Sequence, residues 1–126
     1  MTKISLSLPV MMFVFAGCVW DIPEPAGNVE DMDPVSFSED VIPIFVNNCI
    51  SSGCHGVGEI RPILTADRAY DELMSMQGMV DLENPESSVL YERMVSIQSP
   101  MPPSGLLSNK DAQLILAWIW QGASDE

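Results

Sequence analysis

Cys49-Ile50-Ser51-Ser52-Gly53-Cys54-His55-Gly56 puts two thiols and an imidazole within seven residues, and His55 is the only histidine of the chain. Two cysteines followed directly by a histidine is the pattern by which haem is attached covalently. Each thiol adds to a vinyl group, and the neighbouring imidazole turns its ring onto the iron. The usual interval between the cysteines is two residues; here it is four. Two other chemistries use the same residues. A Cys49–Cys54 disulfide would close a small loop and leave His55 facing solvent, since cysteines five apart reach bonding distance in a turn. Zinc would need a fourth ligand, and only three nitrogen or sulfur donors are local.

A metal centre that only passes electrons calls for a weak, soft donor opposite the imidazole. A thioether on iron raises the reduction potential and, by filling the sixth position, keeps oxygen and peroxide out. Met101 is the first choice, because Pro100, Pro102 and Pro103 restrict its backbone and leave little entropy to lose when the sulfur is placed. Met79 and Met94 are the alternatives, but both lie on or beside helical patterns where core packing accounts for them. Arg61, Arg68 and Arg93 are candidates for haem propionates or, more simply, for surface ion pairs. The acids Asp71 and Glu72 are expected on a helix exterior. No serine, acid and histidine set suggests hydrolysis, and no second histidine is left for distal acid–base work, so a carrier is expected over an enzyme.

Helices must position these residues. Ser36-x-x-Glu39 resembles a capping box, and Val41, Ile42, Ile44, Phe45 and Val46 form an apolar stripe leading into Cys49. Pro43 belongs near a first turn, which puts the helix start close to Glu39 or Asp40. A second helix is predicted from Thr65 as cap through Ala69, Tyr70, Leu73 and Met74 to Gly78. A third opens at Asn84-Pro85 and presents Val89, Leu90, Arg93 and Met94. In the last, Ser108 caps with Asp111 three residues on, Leu114, Ile115, Trp118 and Ile119 form the apolar face, and Gly122 is the stop. The fold class expected is all-α.

The chain has 126 residues. Residues 1–17 read as a signal peptide: Lys3, an apolar run too short for a permanent membrane span, then Ala16-Gly17 before Cys18. The small residues before Cys18 resemble the bacterial lipobox, so Cys18 is expected to carry lipid, with Phe15 where that pattern prefers Leu; ordinary cleavage nearby would leave it a spare thiol. Residues 18–35 hold Pro23, Pro25, Gly27, Pro34 and five acids with no base, an extended tether. Residues 36–126 form the domain. Without Lys3 the chain keeps four basic against 18 acidic side chains, a net charge of −14. Such a surface repels phosphate backbones, which argues against nucleic acid as a partner, and it would attract a basic protein or keep the chain soluble. Export into an oxidising compartment requires that Cys49 and Cys54 be bridged, modified or liganded.

The runs Phe37 to Phe45, Cys49 to Gly56, Asn84 to Tyr91, Met101-Pro102-Pro103 and Trp118-Ile119 to Gly122-Ala123 together resemble the small monohaem cytochrome c domains of bacterial exported proteins, over the whole chain after the tether. The resemblance implies a bundle of about four short helices around one haem c, with the first and last helices crossing. It implies Cys49 and Cys54 as the covalent attachment, His55 as proximal and Met101 as distal ligand. Pro62 and Leu64 resemble the family's Pro-x-Leu segment, whose proline carbonyl takes the proton of the proximal imidazole. Electron transfer with redox partner proteins, from a lipid-anchored position facing the periplasm or the cell exterior, is the expected function. The alternative is a haem-free surface lipoprotein stapled by a Cys49–Cys54 disulfide and acting as a binding or assembly module.

Overall fold

The computed structural model describes residues 28–126. The expected signal peptide, the lipidated Cys18 and the tether up to residue 27 lie outside the described residues. Among those described, the architecture is all-α, with no strand. Its helices are α1 (Ile42–Asn48), α2 (Ala69–Ser75), α3 (Val89–Val95) and α4 (Asn109–Trp120). Two 3₁₀ turns, Val29–Asp31 and Pro85–Ser87, and a wide π turn, Phe37–Val41, accompany them. None of the described helices is long and apolar enough to cross a membrane.

The start of α1 shows how one proline reshapes a cap. Ser36 Oγ accepts a hydrogen bond from the Glu39 N–H at 3.1 Å. The return bond comes from Asp40, not Glu39: its Oδ2 accepts from the Ser36 N–H at 2.8 Å. The N–H groups of Val41 and Ile42 reach back five residues, to the Ser36 and Phe37 carbonyls, and this wider turn moves the carboxylate register by one. It falls just before Pro43, whose ring would clash with the carbonyl four residues back in an ordinary turn. The helical path therefore begins at Phe37, earlier than the proline alone suggests.

Two other expected caps are replaced. Thr65 does not cap α2 with its side chain, for its hydroxyl is buried without a partner. Its carbonyl instead accepts from the Arg68 and Ala69 N–H groups, so a turn precedes the helix. Pro62, Ile63 and Leu64 are drawn into the interior just before it, which turns the threonine inward. Asn84-Pro85 opens the short 3₁₀ turn, and α3 starts only after Ser88, whose buried hydroxyl accepts from the Asp81 N–H at 2.9 Å.

Helix α4 carries the centre of the core. Ser108 Oγ accepts from the Asp111 N–H at 3.1 Å. At the other end Gly122, at φ +99°, lets its own N–H reach the Ile119 carbonyl and the Ala123 N–H reach that of Trp118. Ile115, Trp118 and Ile119 are fully buried with Val41, Phe45 and Leu73, while Val46 and Trp120 stay exposed. The last helix meets the first at its π turn, where the Phe37 and Trp118 rings lie 4.9 Å apart at 34°. The edges of Phe45 and Tyr70 complete that aromatic group.

Met32, Asp33 and Val35, expected to belong to the extended tether, are fastened to the end of α4. Gln121 accepts from the Val35 N–H at 2.8 Å and donates to the carbonyls of Met32 and Asp33.

Candidate functional site

One cavity of about 390 Å³ lies between the loop that follows α1 and the loop that follows α3. Cys49, Cys54, His55, Pro62 and Met101, the residues singled out by type and spacing, all line it. Leu64, Val89, Leu90 and Met94 supply apolar wall, and Arg61 and Arg93 stand at it as the cations.

Backbone bonds hold the principal wall residues. Cys49 closes α1, donating its N–H to the Phe45 carbonyl at 2.8 Å. The chain then makes a tight turn in which the Cys54 N–H returns to the Ser51 carbonyl, with Gly53 at φ +79°, a conformation costly for any residue with a Cβ. The His55 N–H binds the Cys49 carbonyl at 3.0 Å, and the His55 carbonyl accepts from Leu64 at 2.8 Å. Across the cavity, the Met101 N–H donates to the Arg93 carbonyl at 2.8 Å, one of the last-turn acceptors that α3 cannot satisfy itself. Leu90 donates to the Met79 carbonyl, which brings Met79 to the same wall.

The imidazole is oriented from behind. His55 Nδ1 lies 2.9 Å from the Pro62 carbonyl oxygen and 3.1 Å from that of Ile60. Carbonyls only accept, so in the neutral ring Nδ1 carries the proton and Nε2 keeps its lone pair. That tautomer suits a ring whose Nε2 is to bind a metal.

Both thiols are free. Cys54 Sγ sits 3.2 Å from Ser51 Oγ. Burial, with Cys54 close by as a second cause, pushes the Cys49 thiol up to about 11. A raised pKa keeps the thiol protonated further into the alkaline range, so at pH 8 only ~10⁻³ of Cys49 is the reactive thiolate. In the cofactor-free chain, the alkylation rate of Cys49 by iodoacetamide should rise about tenfold per pH unit between 8 and 10. Peptide mass spectrometry follows it; a rate that levels off near pH 9 would show that burial does not hold the proton.

The remaining expectations divide. Met94 is core as well as wall, 4% exposed, whereas Met101 is 42% exposed at the cavity rim. Arg68 is not on the cavity; it faces Glu72 at 3.6 Å, one helical turn on. Glu72, expected on a helix exterior beside Asp71, is in fact buried. Its Oε2 accepts from Arg61 Nε at 2.7 Å and from the Ile63 N–H at 3.4 Å. The Arg61 hydrogen bond, chief among these contacts, holds the Glu72 carboxyl below the ordinary carboxylate range. Only the Arg68–Glu72 spacing of four was visible in the sequence as a hint of this. Among the described residues, no group of three or more His, Cys, Asp or Glu side chains is placed to hold a metal ion. Comparison of the chain with protein-family models, with curated proteins and with solved structures gives no match.

Proposed function

We propose that this domain is a monohaem c-type cytochrome module that carries single electrons. The observation that supports it most is the convergence of Cys49, Cys54, His55 and Met101 on one largely apolar cavity. Its volume of about 390 Å³ falls in the roughly 300–1,000 Å³ range of cofactor pockets. The donor set fits the group as well. Two unbonded thiols stand beside an imidazole whose Nδ1 faces a carbonyl, and the Met101 thioether lines the same cavity.

In this reading Cys49 and Cys54 hold the macrocycle, each sulfur adding to one vinyl carbon while the thiol hydrogen goes to the other. His55 Nε2 and the Met101 sulfur would be the groups that hold the iron, and the Pro62 carbonyl, 2.9 Å from His55 Nδ1, would fix the imidazole ring. The bound haem would supply reversible one-electron exchange and no bond-making chemistry. The excess of acid over base fits a basic redox partner. Lipid on Cys18 would keep the domain at a bacterial membrane, on the periplasmic or the outer side.

The test is expression of the full chain in a host with active cytochrome c maturation. The protein should gain the mass of one haem and keep its red absorbance through denaturation, while the Cys49→Ser, Cys54→Ser double variant releases all colour under the same treatment. A colourless wild-type product overturns the reading. A mass two protons short at the Cys49 and Cys54 peptides, with no cofactor, would instead select the disulfide-stapled lipoprotein.

A further inference from the structure

We infer that Glu72 is a positioning residue for His55: a buried carboxylate on α2 that clamps the peptide around Pro62 and so aims the Pro62 carbonyl at the imidazole. This rests on the reading of His55 as an iron ligand, although one arm of its test does not need the iron.

The geometry is specific. A single oxygen, Glu72 Oε2, accepts from Arg61 Nε at 2.7 Å and from the Ile63 N–H at 3.4 Å, the residues on either side of Pro62. Proline has no N–H and cannot anchor its own peptide by donating. Its carbonyl is the nearer of the two acceptors facing His55 Nδ1, at 2.9 Å against 3.1 Å for Ile60. Ile60 is 60% exposed, and no side chain other than His55 itself meets its carbonyl. Glu72, by contrast, belongs to a helix whose neighbours Ala69 and Leu73 are fully buried in the core. A route of direct contacts therefore runs from the core through Glu72, the Arg61–Ile63 segment and Pro62 to the proton on His55 Nδ1. A firm acceptor there makes the ring a stronger donor at Nε2.

Glu72→Gln keeps the shape and removes the charge that holds Arg61. The full chain is measured with and without cofactor. In the haem-free chain, imidazole ¹⁵N shifts report which nitrogen of His55 is protonated, and the share carrying the proton on Nε2 should rise about tenfold, the scale of one hydrogen bond lost. In the haem-loaded chain, His55 Nδ1–H should exchange with solvent about tenfold faster. The reduction potential should also rise, because a less firmly bonded ring donates less to iron. Asp71→Asn is the charge control: it removes one negative charge from the exposed side of the same helix without touching the Pro62 segment, and it should leave tautomer and exchange at wild-type values. Arg61→Gln covers the case in which Glu72→Gln does not fold. Its side chain is mostly exposed, and it should shift the tautomer in the same direction. Wild-type tautomer and exchange in a folded Glu72→Gln, or in Arg61→Gln where the first does not fold, overturns the inference. Equal potentials in Glu72→Gln and Asp71→Asn would do so too. A wild-type chain that never takes up haem overturns the electron-carrier reading alone, since the tautomer measurement still decides the role of Glu72.

Discussion

With Met101 as the proposed iron ligand, Met101→Ala should lower the reduction potential of the haem-loaded chain on the order of 0.1 V or more, within the roughly 0.8 V that axial ligation spans. A thioether stabilises ferrous over ferric iron, and water or an empty position does not. The substitution is clean because the loop is held by other means. The Met101 N–H bond to the Arg93 carbonyl survives in alanine, and Pro100, Pro102 and Pro103 keep the backbone restricted. The same variant should bind carbon monoxide or cyanide readily and lose its sulfur-to-iron absorption band. Spectroelectrochemistry decides the matter. An unchanged potential and band would move the ligand to Met79, the partly buried methionine on the same wall, and Met79→Ala should then show the fall.

Trp118→Ala should destabilise the fold by about 3–5 kcal/mol, the usual cost of emptying a large aromatic site. Trp118 is 1% exposed, stacks on Phe37 and donates from Nε1 to the Ser124 carbonyl at 2.7 Å. The loss would take much of the roughly 5–15 kcal/mol that holds a small domain together. It also strikes the place where the π turn, α2 and the last helix meet, since Tyr70 donates to the Ala123 carbonyl beside it. Denaturant melts followed by circular dichroism measure the effect. A loss below about 1 kcal/mol would mean that neighbouring side chains collapse into the space. Trp120→Ala, from an exposed position two residues on, should fall within about 0.5 kcal/mol of wild type.

What the sequence made legible was local. Ser36 and Ser108 could be recognised as caps because the acceptor and the N–H it binds lie three residues apart. Gly122 ends α4 for a reason carried by the residue itself. The same local reasoning misplaced the cap at Thr65, because burial of the neighbouring Pro62–Leu64 segment turned its hydroxyl inward. It put Glu72 on the outside because the partner that makes burial tolerable, Arg61, lies eleven residues away and off the helix. The donor types of the site were readable from Cys49-x₄-Cys54-His55 and from the proline-flanked Met101. That the two stretches meet was expected from the donor chemistry and the resemblance, but the means was not legible, for it depends on Met101 closing the end of α3 and on the Met79–Leu90 backbone bond.

The grip of Gln121 on Met32, Asp33 and Val35 has a mechanical meaning. A load arriving along the N-terminal segment is handed to the end of α4, next to the aromatic interior, before it can reach the loops that frame the cavity. Phe37 reinforces this junction from the other side, donating its N–H to the Glu126 carbonyl at 2.6 Å. The N-terminal attachment and the cavity are thus built from separate parts of the molecule: Gln121 and Glu126 hold the first, while the backbone bonds of Cys49, His55 and Met101 frame the second.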